Sequence, residues 1–192
     1  VYSPYWVSYT ALIELTGAKP VFIKGGIESD FKATSEQLEA AITPKTKAVI
    51  YSSPCNPTGS VFTRKELEEI ADVIRRHDNI MVIADEIYEL INYTDDKVSL
   101  ASLPDMFDRT ITVNGFAKGF AMTGWRVGYI AAPLWIAKGC TKMQGQITSA
   151  NCSIAQRAAL TAITSDLAPS HEMADAYARR RELVAGLLAE IP

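Results

Sequence analysis

The stretch Ile80-Met81-Val82-Ile83-Ala84-Asp85-Glu86-Ile87-Tyr88 decides the fold. Its first five residues are apolar with no alternation. A strand wet on one face alternates, whereas a strand covered on both faces runs apolar throughout, the pattern of a parallel sheet inside an α/β domain. The run then stops at two acidic residues. In open sheets of this kind ligands gather at the carboxyl ends of strands, so Asp85 stands where chemistry is expected.

Working outward, the same logic repeats. Ala48-Val49-Ile50-Tyr51 predicts a second buried strand, and Thr110–Val113 and Val127–Ala131 two more, with Val21-Phe22-Ile23 as a short one. Between strands lie amphipathic stretches. Thr34 with Gln37 and Thr63 with Glu66 are capping boxes, and Phe62 with Leu67 is placed as a hydrophobic staple. The helix after Thr63 puts Leu67, Ile70, Ala71 and Ile74 on one face; the earlier one stops by Pro44. Residues 8–17 read as a helix ended by Gly17. From Pro133 onward the chain reads as helix, with breaks near 148–153 and 165–169; Met173, Tyr177, Val184, Leu187 and Ile191 give the last helix its apolar face. Alternation of strand and helix predicts α/β architecture, a mainly parallel sheet flanked by helices in three layers.

Composition narrows the class further. The chain has 192 residues, 48% hydrophobic and 21% charged, with net charge -3. That is enough for one core of fair size and gives no electrostatic reason to expect nucleic acid or an anionic membrane surface. No apolar run is long enough to span a bilayer. Cys55, Cys140 and Cys152 are an odd number without CxxC pairing and have only His77 and His171 beside them, so no metal cluster is expected and free thiols in a reducing cytoplasm are. There is no initiator Met, and the last helical pattern stops mid-course at Leu187–Pro192, so the chain is expected to be a piece truncated at both ends.

Polar groups follow each strand. Ser53-Pro54-Cys55-Asn56-Pro57-Thr58-Gly59 follows the 48–51 strand, Asp85-Glu86-Ile87-Tyr88 the 80–84 strand, and Asn114-Gly115-Phe116-Ala117-Lys118 the 110–113 strand; Met122-Thr123-Gly124-Trp125-Arg126 precedes the next. Taken singly each is ordinary. Asn-Pro-Thr-Gly is a turn, an Asp at a strand end is commonly a helix cap, and a lone Lys or Arg is usually solvated. Their order and spacing together resemble the class I/II aminotransferases of pyridoxal-phosphate (PLP) fold type I. Pro4-Tyr5-Trp6-Val7-Ser8-Tyr9 is similar to a segment of bacterial aspartate aminotransferases, and the likeness runs through essentially all of residues 1–192.

The resemblance implies roles. Lys118 matches the lysine that forms the Schiff base with the cofactor and carries the proton. It needs an unprotonated fraction, hence burial and nearby positive charge. Asp85 matches the carboxylate paired with the pyridinium nitrogen, and Tyr88 and Asn56 the donors to the ring oxygen, Asn56 also lying near the substrate carboxylate. Arg126 matches the guanidinium that forks onto the phosphate, and Trp6 the aromatic stacked on the ring. Many relatives carry Ser or Thr where this chain has Gly115 and Ala117, a departure at the phosphate cup. The resemblance further implies a large cofactor-binding domain, a homodimer, and amino-acid and 2-oxo-acid substrates, aspartate and 2-oxoglutarate first. A glycine-containing phosphate loop, a carboxylate-binding arginine and a tyrosine from the other subunit would lie outside this span. Two other readings share the same core: carbon–sulfur lyase or aminocyclopropane-carboxylate synthase chemistry, and a PLP-binding regulatory domain of a transcription factor. Gln144–Asn151 reads as a helix break that could sit at a dimer interface, and Arg179-Arg180-Arg181 as a solvated face.

Overall fold

The computed structural model describes residues 1–191. Four strands form the central sheet in the order β3 (Ala48–Ser52), β4 (Met81–Asp85), β5 (Thr110–Gly115), β6 (Gly128–Ala131). The first three are parallel and β6 is antiparallel. A separate parallel pair, β1 (Tyr2–Ser3) and β2 (Ile23–Lys24), lies beside β3. The helices are α1 (Ser8–Leu15), α2 (Ser35–Ala41), α3 (Arg64–Arg75), α4 (Leu134–Ile147), α5 (Ser153–Thr164) and α6 (Ala168–Ala189). The α/β, mainly parallel architecture expected from the sequence is the one observed.

Local chemistry explains the elements. Both capping boxes form: Thr34 and Gln37 satisfy each other's backbone N–H, and Thr63 and Glu66 do the same. Phe62 and Leu67 are both buried in the main core, as a staple requires. Leu67, Ile70, Ala71 and Ile74 of α3 meet Val49 and Tyr51 of β3 and Val82 and Ala84 of β4 in that core. The carboxyl end of α3 is closed by Arg109, whose guanidinium donates to the carbonyls of Ile74, His77 and Ile80. On the other side of the chain, Phe116, Met122 and Ala159 make a smaller cluster that seats α5 on the segment before β6.

The structure departs from the sequence reading in several places. Asp85 is the last residue of β4, paired with Ser52 and Val113, rather than the first residue after it. The strand expected at 21–23 is only Ile23–Lys24, because β2 pairs with a two-residue partner; Phe22 instead stacks on Tyr5 at 5.2 Å. Val82 and Ala84 are fully buried but Met81 and Ile83 only half so, and every residue of β6 is exposed, so the second face is thinly covered within these residues. The apolar face expected on α6 is likewise open: Tyr177, Val184, Leu187 and Ile191 are all exposed. The helix breaks fall at 148–152 and 165–167, as expected. The basic run on α6 is not merely solvated, since Arg181 lies 4.7 Å over the Tyr93 ring. Among the described residues no helix is long and apolar enough to cross a membrane.

Candidate active site

Strand direction brings the polar groups together. The carboxyl ends of the parallel strands β3, β4 and β5 lie along one edge of the sheet. Because β6 is antiparallel, its start falls on that same edge, and with it Arg126, two residues earlier. Asn56 follows β3 by four residues, Asp85 ends β4, and Lys118 follows β5 by three. The six residues singled out from the sequence, Trp6, Asn56, Asp85, Tyr88, Lys118 and Arg126, thus stand on loops and ends at the carboxyl edge or, for Trp6, at the start of α1 beside it.

Asp85 is the best defined. Its Oδ1 accepts the Ile87 N–H at 3.2 Å and its Oδ2 accepts the Tyr9 hydroxyl at 2.5 Å. A carboxylate offers about four lone-pair sites, so acceptor capacity remains on each oxygen. Tyr9 is buried, and burial first and Asp85 second push its phenol far above the ordinary range, so it stays a donor at any working pH. Tyr9 was not picked out from the sequence. Its signal was weak: it lies three residues after Trp6, one helical turn on, and the two rings meet edge to face at 5.7 Å.

Lys118 Nζ sits 5.7 Å from the centre of the Tyr88 ring, and no described carboxylate lies within ion-pair distance of it. The burial expected for this lysine is not observed: it is exposed, because residues 1–191 supply no wall on that side of the edge. Arg126 is also exposed and has a left-handed backbone, φ 55°. One of its nitrogens donates to the Thr123 carbonyl at 2.9 Å, leaving the rest of the fork open. Beside it runs a groove of about 860 Å³ lined by Trp125, Gln144, Asn151 and Cys152. Asn56 is half-buried in a turn closed by the Gly59 N–H on the Cys55 carbonyl at 2.8 Å, and Gly59 takes φ +75°, a conformation that favours glycine. Trp6 is 43% exposed.

Gly115 now has a reason. A Cβ there would stand 2.8 Å from Gly128 Cα and 3.0 Å from the Val127 carbonyl oxygen, both backbone. A larger side chain at residue 115 would therefore force the backbones of β5 and β6 apart.

An amine, a strand-end carboxylate with spare acceptor sites, a phenol, an amide and an open guanidinium along one edge of an α/β sheet make a donor set that fits an aldehyde-bearing, phosphorylated, nitrogen-ring cofactor. The chain belongs to the family aminotransferase class I and II, whose family model matches residues 1–192. It is 44% identical over 190 residues to the aspartate/prephenate aminotransferase of Cereibacter sphaeroides, covering 98% of this chain and 48% of that protein. Among solved structures, it superposes on an aromatic aminotransferase from Pyrococcus horikoshii with TM-score 0.94 at 46% identity, covering 98% of this chain and 51% of the other. The aspartate aminotransferase from Thermus thermophilus with maleate gives 0.92 at 40% identity, covering 97% and 49%. The chain therefore spans about half the length of the relatives it matches. Members of the family use pyridoxal phosphate, and the donor set above fits that group.

Proposed function

We propose that the full protein carrying this chain is a PLP-dependent aminotransferase, moving the amino group of an L-amino acid, aspartate first, to a 2-oxo acid such as 2-oxoglutarate. Residues 1–192 then form the greater part of its cofactor-binding domain, and the working protein is a homodimer. The observation that supports the reading is that Asn56, Asp85 and Lys118 follow or end the parallel strands β3, β4 and β5, and the antiparallel sense of β6 brings Arg126 to the same edge.

When bound, pyridoxal phosphate supplies a protonated ring that takes up the electrons left when an amino acid loses its α-proton. Asp85 keeps the ring nitrogen protonated, and Tyr9 and the Ile87 N–H hold its carboxylate in place for that contact. Lys118 Nζ would anchor the aldehyde and, once the amine of the incoming amino acid has displaced it, would hold and move the α-proton as a free amine. Tyr88 and Asn56 would donate to the ring oxygen, Arg126 would bind the phosphate, and Trp6 would cover the ring. The three free thiols support a reducing, cytoplasmic setting.

The test is product analysis with the full-length protein. L-aspartate and 2-oxoglutarate should yield oxaloacetate and glutamate in equal amounts. Pyruvate and ammonia instead would signal elimination chemistry, and no turnover of any amino donor would point to a regulatory role. Preference for an aromatic donor would keep the reaction and change the substrate.

A further inference from the structure

Glu86 takes no part in the chemistry above, yet it directly follows Asp85 and is only 8% exposed. Its Oε1 accepts the Ser99 hydroxyl at 2.7 Å. Ser99 precedes a short 3-10 turn, Leu100–Ser102, whose Leu100 is fully buried in the main core, so the donor is firmly anchored. Glu86 also begins the turn over residues 86–91: its N–H donates to the Val113 carbonyl at 2.9 Å, its carbonyl accepts from Glu89, and Tyr88 closes on Ile91.

That turn is fitted to the lysine segment at three points. Ile87 Cδ1 would lie 3.4 Å from a Cβ on Gly115, the Tyr88 ring lies under Lys118 Nζ, and Leu90 Cβ would lie 2.7 Å from a Cβ on Gly119. We propose that Glu86, through its bond from Ser99, is the positioning residue that holds the 86–91 turn against the Lys118 segment and so sets where the lysine amine stands. The proposal rests on the functional reading above. The titratable groups acting on or felt by Glu86 are Asp85 and Glu89 in its own segment, Tyr51 on β3 and Tyr129 on β6. None is a cation, so an ionised Glu86 is a buried charge beside two other carboxylates, with the Ser99 hydroxyl as the donor that holds it.

Two quantities test this in the full-length protein. One is the rate at which an amine-directed label reaches Lys118 in the cofactor-free protein, read by peptide mass from pH 6 to 8.5. The other is the dissociation constant for pyridoxal phosphate. Ser99→Ala should raise that constant about tenfold and speed labelling about threefold. Ser99→Thr, which keeps the hydroxyl, should restore both to within about twofold. Glu86→Gln, which keeps an acceptor for the Ser99 hydroxyl, should stay within about twofold of the parent in both quantities at pH 6. Unaltered labelling and affinity in Ser99→Ala would overturn the proposal, as would equal losses in all three variants, which would mean packing alone. If the parent takes up no cofactor while labelling follows the predicted pattern, the functional reading falls and the positioning role stands.

Discussion

Tyr9 and Asp85 are 76 positions apart in sequence and share a hydrogen bond. Asp85 drew notice at the end of an apolar strand, and Lys118, Asn56 and Arg126 through the resemblance of their order to the family pattern; Tyr9 did not, because nothing local marks a tyrosine whose partner lies on a distant strand. Removing its hydroxyl takes a donor from a half-buried carboxylate. Tyr9→Phe should therefore lower stability by about 2 kcal/mol in urea unfolding and weaken pyridoxal phosphate binding by up to about thirtyfold, the same free energy. A dissociation constant unchanged from the parent would mean that the bond does not prepare Asp85 for the cofactor. Glu86 gives a pH prediction. Burial, with Glu89 and Asp85 nearby, pushes its carboxyl up to about 7, against the opposing effect of the Ser99 bond. A carboxyl that is harder to ionise folded than unfolded contributes full stability below its unfolded value and loses it as pH rises through the folded one. The parent should thus lose about 3 kcal/mol relative to Glu86→Gln between pH 4.5 and 8. Parallel stability curves for the two proteins would contradict this.

At the level of elements, the signals that stay within a few residues were read correctly. Both capping boxes form at the residues predicted, and α3 buries the face predicted. Thr63→Ala should cost about 1 kcal/mol, since it frees an N-terminal N–H of α3 and removes one hydroxyl from Glu66. What pattern could not supply was register and direction. The strand bearing Asp85 starts one residue late, β2 is cut to two residues by a short partner, and the antiparallel sense of β6, on which the placement of Arg126 depends, has no local signature. Gly115 belongs to the same class: its departure from the related pattern looked like a weakened phosphate cup and is a packing constraint between two backbones. Gly115→Ser should destabilise by about 1–3 kcal/mol through forced separation of β5 and β6, measured by thermal unfolding. A neutral substitution would mean that the two strands part easily.

For the whole molecule, the sequence conveyed the architecture and the cofactor edge but not how open that edge is within residues 1–191. Lys118, Arg126 and all of β6 are exposed, and so are Leu134, Trp135, Ile147, Leu183 and Leu187 on the late helices. The chain spans about half the length of its relatives, and within residues 1–191 the groups proposed to hold the cofactor stand without walls that exclude water. The isolated 192-residue piece should accordingly bind pyridoxal phosphate at least about 100-fold more weakly than the full-length protein and show no measurable transamination; robust turnover by the piece would refute this. The most direct test of the central claim is to load the full-length protein with pyridoxal phosphate, reduce it with borohydride and map the modified lysine by peptide mass. Cofactor fixed on Lys118 alone, and nowhere in Lys118→Ala, is the predicted result. Modification at another lysine, or none at all, would contradict the placement of the active site at this edge of the sheet.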